Sequence, residues 1–360
     1  MKLIFHAALA VLLVLVAGCR QETGGEKGVI LLRYTPGSES TEQRERGFLE
    51  TLQKHYPGIN ILTSSEYSGT TPEESLDKAQ QLLNRFGDRV EGIFAVCEPN
   101  SVGTLGALED AGLATKVKFV AFDPSPRLVK AMGDGKIDGI VLQDPVTMGY
   151  LAVKTMVAHL EGKQTPDRIV TGEFVSTPKN MNGRDEDGND IKKLLDPQQF
   201  TDDQKAAPKT TQYVLAVIPK GTTHEFWKSV HAGAENAARE LGNVEIRWKG
   251  PLLENDREGQ INVVQDFITQ QVDGICLAPL DSQALIQSVK DAKAEGIPTV
   301  IFDSGLDDKE VYVSYVATDN YNGGALAAHR LAEVLGVKAA DVKDDGAAPS
   351  TPSSSQGGGE

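Results

Sequence analysis

Short apolar runs separated by helix-patterned stretches recur in two blocks along this chain. In the first block, residues 29–32, 59–62, 92–96, 117–122 and 139–142 are β-branched or aromatic runs between turn signals, which predicts buried strands. Between them, 41–55 sets Phe48, Leu49 and Leu52 on one side, and Pro72–Phe86 carries Leu76, Ala79, Leu82 and Leu83 at helical spacing. Thr71 stands at the N-cap position, with Pro72 first in the helix and Glu73 and Glu74 in its first turn. A further amphipathic helix is expected over 148–160. The second block repeats the scheme, with strands over Tyr213–Ile218, Val244–Trp248, Gly274–Leu277, Thr299–Phe302 and 313–316. Its helices are expected over Glu225–Leu241, 259–270, 283–295 and 320–335. Such alternation predicts parallel sheets with right-handed crossovers. Two α/β lobes facing one another would enclose a small polar molecule, because parallel sheets bind ligands beyond the carboxyl ends of their strands.

The flanks follow a different pattern. Lys2 precedes an apolar run over 3–16 broken only by His6, and Val16-Ala17-Gly18 places small residues before Cys19. That is the plan of a secretory signal, and the run is shorter than the ~18 apolar residues of a spanning helix. The step into Cys19 resembles a bacterial lipoprotein signal, which implies that Cys19 becomes the lipidated first residue of the mature chain. Residues 20–27 then read as a tether, 196–210 (DPQQFTDDQKAAPKT) as a polar linker, and 338–360 as a disordered tail. The formal charge of −15 argues against a nucleic-acid partner, whose phosphates need a basic face. Cys97 and Cys276 fall at strand ends in different blocks and are expected as separate thiols.

Candidate chemistry clusters where strands run out into loops. The strand Tyr213–Ile218 leads through Lys220 and His224 to Phe226 and Trp227, whose faces can meet the C–H groups of a sugar ring. Asp303 follows Thr299–Phe302, Asp123 follows 117–122, Gln143 follows 139–142, and Arg44 opens the first helix. Carboxylates and a guanidinium at such mouths hold hydroxyls by charge-assisted hydrogen bonds.

These residues sit in a wider resemblance. Residues 211–336 resemble the first half of a type I periplasmic sugar-binding protein of the ribose-binding family, through Phe226-Trp227, Ala232-Gly233-Ala234, Asp273-Gly274-Ile275, Ala278-Pro279-Leu280-Asp281-Ser282, Gly296-Ile297-Pro298, Phe302-Asp303 and Asp319-Asn320 before Gly323-Gly324. Residues 28–193 resemble the second half, through Arg44 with Gly47-Phe48, Ile93-Phe94-Ala95, Phe122-Asp123, Gln143-Asp144-Pro145 and Met148-Gly149. The halves stand in reverse order. The simplest account is circular permutation, broken between the helix over 320–335 and the strand over 29–32, with 196–210 joining the family's usual ends.

The resemblance implies a clamshell of two Rossmann-like lobes joined by a hinge. One lobe comprises 28–143, 173–195 and 319–336, and the other 144–172 and 211–318. It implies ligand contacts at Phe226, Trp227, Asp303, Arg44, Asp123 and Gln143, with Cys97, Glu98 and His224 in the same mouth. Where the family usually has Asn-Asp this chain has Cys97-Glu98, and where it often has Asp-Arg it has Asp303-Ser304, which puts ribose itself in doubt. The implied function is a monomeric, lipid-anchored extracytoplasmic protein that captures a monosaccharide or polyol and delivers it to an ABC permease. The same clamshell would also serve a sensor kinase or chemoreceptor, and a sugar- or nucleotide-modifying enzyme is the remaining alternative. No phosphate loop, dinucleotide fingerprint, nucleophile set or metal-ligand spacing is present, and neither a cofactor nor a metal is expected. The acidic run Asp185-Glu186-Asp187-Gly188-Asn189-Asp190 departs from a calcium loop in its glycine position and its missing closing Glu.

Overall fold

The computed structural model describes residues 26–184, 190–195 and 212–340. The expected signal with Cys19, most of the tether, the linker, nearly all of the tail and most of the acidic run lie outside these residues.

The central apolar runs form strands buried on both faces, and the edge strands are partly buried. β1 (Gly28–Leu32), β2 (Ile61–Thr63), β3 (Val90–Ala95), β4 (Lys118–Phe122), β5 (Gly139–Gln143) and β7 (Glu173–Ser176) make one sheet, ordered β2-β1-β3-β4-β5-β7. β6 (Arg168–Val170), β8 (Tyr213–Ile218), β9 (Val244–Trp248), β10 (Gly274–Leu277), β11 (Thr299–Phe302) and β12 (Ser314–Ala317) make the other, ordered β6-β12-β11-β10-β8-β9. All neighbours are parallel except β5 and β7, an antiparallel pair at one edge. Successive residues of β1 serve opposite cores: Ile30 and Leu32 pack with Leu82, Phe119 and Leu142, while Val29 and Leu31 pack with Phe48, Phe94 and Leu331. Helices cover both faces, which is why the strands read as continuous rather than alternating apolar runs.

The helices are α1 (Glu39–His55), α2 (Pro72–Phe86), α3 (Glu98–Asp110), α4 (Pro126–Gly133), α5 (Pro145–Leu160), α6 (Ile191–Leu195), α7 (Glu225–Leu241), α8 (Arg257–Thr269), α9 (Ile286–Ala294) and α10 (Asn320–Val334). Thr71 caps α2 in a reciprocal box with Glu74. α5 starts three residues earlier than its apolar periodicity indicates, because Asp144 accepts from the Thr147 amide and Pro145 fits the first helical position. Among the described residues no helix is long and apolar enough to cross a membrane.

Two helices change sheets. α5 follows β5 of the first sheet, yet Met148, Ala152, Val153 and Met156 pack with Trp227 and Val230 on the second. α10 follows β12 of the second sheet, yet Ala327, Ala328 and Leu331 pack with Phe48 on the first. Glycines let each exchanged helix lie against its partner's backbone. A methyl on Gly47 or Gly324 would overlap the Tyr321 or Arg44 carbonyl, and one on Gly149 or Gly233 would overlap the Val230 or Val146 carbonyl. The chain therefore passes between lobes at Gln143–Asp144, between β6 and β7, and at Thr318–Asp319. A fourth passage, between α6 in the first core and β8, runs through residues outside those described.

Candidate functional site

β4 and β11 end alike. Asp123 and Asp303 follow Phe122 and Phe302 with φ of 62° each, and each amide donates to the neighbouring strand, at Val141 O and Val316 O. This left-handed conformation is uncommon outside glycine but tolerated by aspartate. It turns both carboxylates into the space between the sheets, where each meets a buried cation.

Arg44 is 2% exposed and held on several sides. Its Nε donates to Asn320 Oδ1 at 2.8 Å, its Nη1 to Val96 O at 2.9 Å, and its guanidinium lies 3.8 Å over the Phe122 ring. Asp123 Oδ2 lies 3.6 Å from Nη1. Gln143, at the end of β5, donates to Asp123 Oδ1 at 2.7 Å and accepts from the Thr318 hydroxyl at 2.7 Å. Burial raises the Asp123 carboxyl, against the pull of Arg44 and Gln143. Cys97 donates through Sγ to Asn100 Oδ1 at 2.8 Å, and burial pushes this thiol well up.

The second lobe supplies the opposite wall. Lys220 Nζ sits 2.8 Å from Asp303 Oδ2 and donates to Ser304 at 2.5 Å, Ser40 at 3.0 Å and Ser38 at 3.3 Å, so one ammonium ties both lobes together. More bonds close the same edge: Ser40 N to Ser304 Oγ, Ser282 N to Gly37 O, and Gly305 N and the Tyr315 hydroxyl to Glu39 Oε2. His224 Nδ1 lies 2.8 Å from Glu254 Oε1, which also accepts from Trp227 Nε1 at 2.7 Å. Burial works against charge in both partners of this pair, but their mutual attraction prevails. His224 is raised to about 9, with Glu98 assisting Glu254, and Glu254 is brought down to about 2. Burial raises Glu98 to about 7, opposed by His224.

Arg44, Cys97, Glu98, Asp123, Gln143, His224, Phe226, Trp227 and Asp303 all line one chamber between the lobes. The two aromatics reach it from different depths. Trp227 is 2% exposed, has Phe226 edge-on at 4.8 Å, and donates its N–H to Glu254. Phe226 is only half-buried. Adjacent helical residues point about 100° apart, which sets the two rings at different depths. Lys220 and His224 are both drawn inside. Tyr34, Ser40, Pro99 and Glu254 complete the lining and are not singled out by the sequence. Tyr34 lies just beyond β1, where the strand-end rule finds it. Glu254 sits in the loop after edge strand β9 and carries no local sign.

Chemically, the chamber pairs Arg44 with Asp123, Lys220 with Asp303 and His224 with Glu254. It offers a neutral polar ligand many donors and acceptors and leaves no cation unpaired to attract an anion. Among the described residues no group of His, Cys, Asp or Glu is placed to hold a metal ion.

Comparison with known proteins places this architecture. A family profile described as periplasmic binding protein domain matches residues 14–164 and 215–353. The ribose import binding protein of Bacillus subtilis is 30% identical over 142 residues, 39% of this chain and 45% of that one. The D-ribose/D-allose-binding protein of Pseudomonas aeruginosa is 33% identical over 129 residues, 34% and 40% of the two chains. The chain thus spans less than half the length of these curated relatives. In fold, it is similar to an ABC transporter solute-binding protein of Clostridium phytofermentas with bound L-rhamnose, at TM-score 0.56 and 11% identity over 87% of this chain and 82% of that one. It is likewise similar to a glucose-galactose binding protein of Geobacillus stearothermophilus, at TM-score 0.55 and 14% identity over 88% and 94%. With the profile covering most of its length and the sheets arranged in two lobes around one chamber, the chain belongs to the periplasmic binding protein family, in its type I form.

Proposed function

We propose that this protein is an extracytoplasmic solute-binding protein that captures a neutral monosaccharide or similar polyol between its lobes and hands it, unchanged, to an ABC permease. The observation that carries this reading is the buried chamber itself: charged groups from both lobes converge on it, and Arg44, Lys220 and His224 each face a carboxylate. Such a lining favours hydroxyls over anions, since an anion would have to displace a carboxylate from each cation. The curated relatives named for ribose, allose and apiose support the sugar class.

Binding works by differential affinity. Contacts from both lobes are complete only on closure, so a ligand shifts the hinge equilibrium toward the closed form. The closed chamber has a volume of about 30 Å³, too little for a monosaccharide, so the lobes must part for entry and the ion pairs must re-aim around the ligand. Lipidation at Cys19 would hold the monomer at the membrane beside its permease, and no cofactor takes part.

We further read the chain as a circular permutant. Glu26 and Lys27 line the groove beside Gln53 and Pro57, and the Ala340 amide donates to His55 O, so both ends of the described chain meet at the end of α1. Relinking there would leave the packing unchanged. An order-preserving alignment then finds one half at a time, in keeping with relatives near 30% identity that cover only 39% of the chain.

Titration calorimetry of the full chain against pentoses, hexoses and polyols tests the function. We expect micromolar binding, about −8 kcal/mol, of at least one neutral sugar, with chromatography recovering that sugar unaltered. No binding across the panel, or a chemically changed sugar, sinks the reading.

A further inference from the structure

Two atoms of the chamber lining are sealed from solvent and have no hydrogen-bond partner, the Tyr34 hydroxyl and Glu98 Oε2. Asp303 Oδ2 also accepts no hydrogen bond, but the Lys220 ammonium faces it at 2.8 Å. Tyr34 is 2% exposed, so its hydroxyl has no recourse to water. Leaving a buried hydroxyl unpaired is destabilising, and a fold tolerates that where something else supplies the partner. The remaining unpaired hydroxyls, such as those of Thr104, Ser176 and Thr299, do not line the chamber.

Tyr34 belongs to the first lobe, and Glu254 faces it from the second. Burial first and the Glu254 charge second push the phenol well above its ordinary range, so it stays protonated and acts as a donor. Glu254 stands close enough to act on the phenol, yet the Tyr34 hydroxyl meets no acceptor at full hydrogen-bond geometry. Glu254 is held rigidly, and both of its bonds, from His224 and Trp227, fall on Oε1, leaving Oε2 clear of them. A buried donor and an ionised acceptor thus stand opposite each other across the closing gap.

We infer that Tyr34 and Glu254 form a specificity pair that grips a single ligand hydroxyl from opposite lobes, Tyr34 donating to its oxygen and Glu254 accepting its proton. The inference rests on the sugar-binding reading of this chamber and narrows it: the ligand carries one hydroxyl whose loss leaves two buried groups unpaired at once. Sites built in this way reject deoxy analogues far more strongly than apolar pockets reject a missing methylene. Because each lobe contributes half of the grip, this hydroxyl also reports closure.

The test measures calorimetric affinities of the full-length protein for neutral pentoses and hexoses and their monodeoxy analogues, in wild type, Y34F and E254Q. Wild type is expected to bind one monodeoxy analogue at least about thirtyfold more weakly than its parent. Y34F is expected to lose about tenfold for the parent and nothing for that analogue. E254Q should flatten the same preference, which keeps the test alive if either variant melts early in the absence of sugar. Unchanged affinities in both variants, or equal losses for the parent and every analogue, overturn the pair while wild-type binding leaves the function standing. A wild type that binds no sugar overturns both.

Discussion

At the ends of β4 and β11 the chain makes the same turn, an aspartate in the left-handed region after a buried phenylalanine, yet the two lobes mount different chemistry beside it. In the first lobe the carbonyl that meets the exchanged helix's glycine belongs to Arg44, and in the second to Val230. Equivalent positions thus carry a guanidinium that reaches the chamber in one lobe and a core valine in the other. The second lobe moves its cation to the loop after β8, as Lys220, and places Phe226 and Trp227 where the first has Ser40 and Thr41. The scaffold repeats and the lining does not. A ligand held between such walls meets a donor-rich, charged surface on one side and a partly aromatic one on the other.

Three sets of measurements break or sharpen this comparison. The largest effect is expected at Arg44. Arg44→Met strands the buried Asp123 and should cost about 4 kcal/mol in denaturant unfolding, whereas Val230→Ala at the matching place costs about 2 kcal/mol as a simple cavity. Equal losses would mean that the guanidinium acts only as packing. Next come the paired glycines. Gly149→Val and Gly324→Val each force a side chain onto a backbone carbonyl, and each should cost about 3 kcal/mol. Near-equal values support equivalent helix pairs, and a tolerated change in either lobe would show that its pair can slide apart.

The smallest effect is the pH profile of thermal unfolding, to which the lobes contribute in different windows. In the first lobe burial raises Glu98 and Glu45 to about 7, so their contribution is complete below about 4.5 and fades as pH climbs through 7. In the second lobe His224 is raised to about 9, so its contribution is complete below about 6.5 and fades as pH rises through 9. Its partner Glu254, lowered to about 2, contributes above about 4.5 and fades toward 2. The melting temperature should therefore fall by a few degrees between pH 6.5 and 9, and His224→Gln should remove that decline. An unchanged alkaline slope in the variant would assign it elsewhere.

Much of the scaffold was readable before any coordinates. Strands covered on both faces appear as unbroken apolar runs, and Asp123, Gln143 and Asp303 at the ends of three of them mark the mouth. What escaped had specific causes. α3 shows no amphipathic stripe because Leu105, Ala107 and Leu108 and the residues between them are buried on nearly every side. β7 runs antiparallel, and nothing in Glu173–Ser176 distinguishes it from a parallel edge. The glycine contacts join residues as far apart as Gly47 and Tyr321 and leave no local trace. Trp227 and Phe226 stand out as a pair, but how deeply each is buried depends on helix rotation. Glu254 belongs to a loop whose approach to the site only the folded sheet creates.

The reciprocal exchange of α5 and α10 bears on how this protein can be engineered. Neither lobe is a separable module, since each completes its interior with a segment encoded among the strands of the other. A chimera that trades one lobe for a homologue's must carry the borrowed helix with its host interior, and a cut made at the visible waist would leave two open cores.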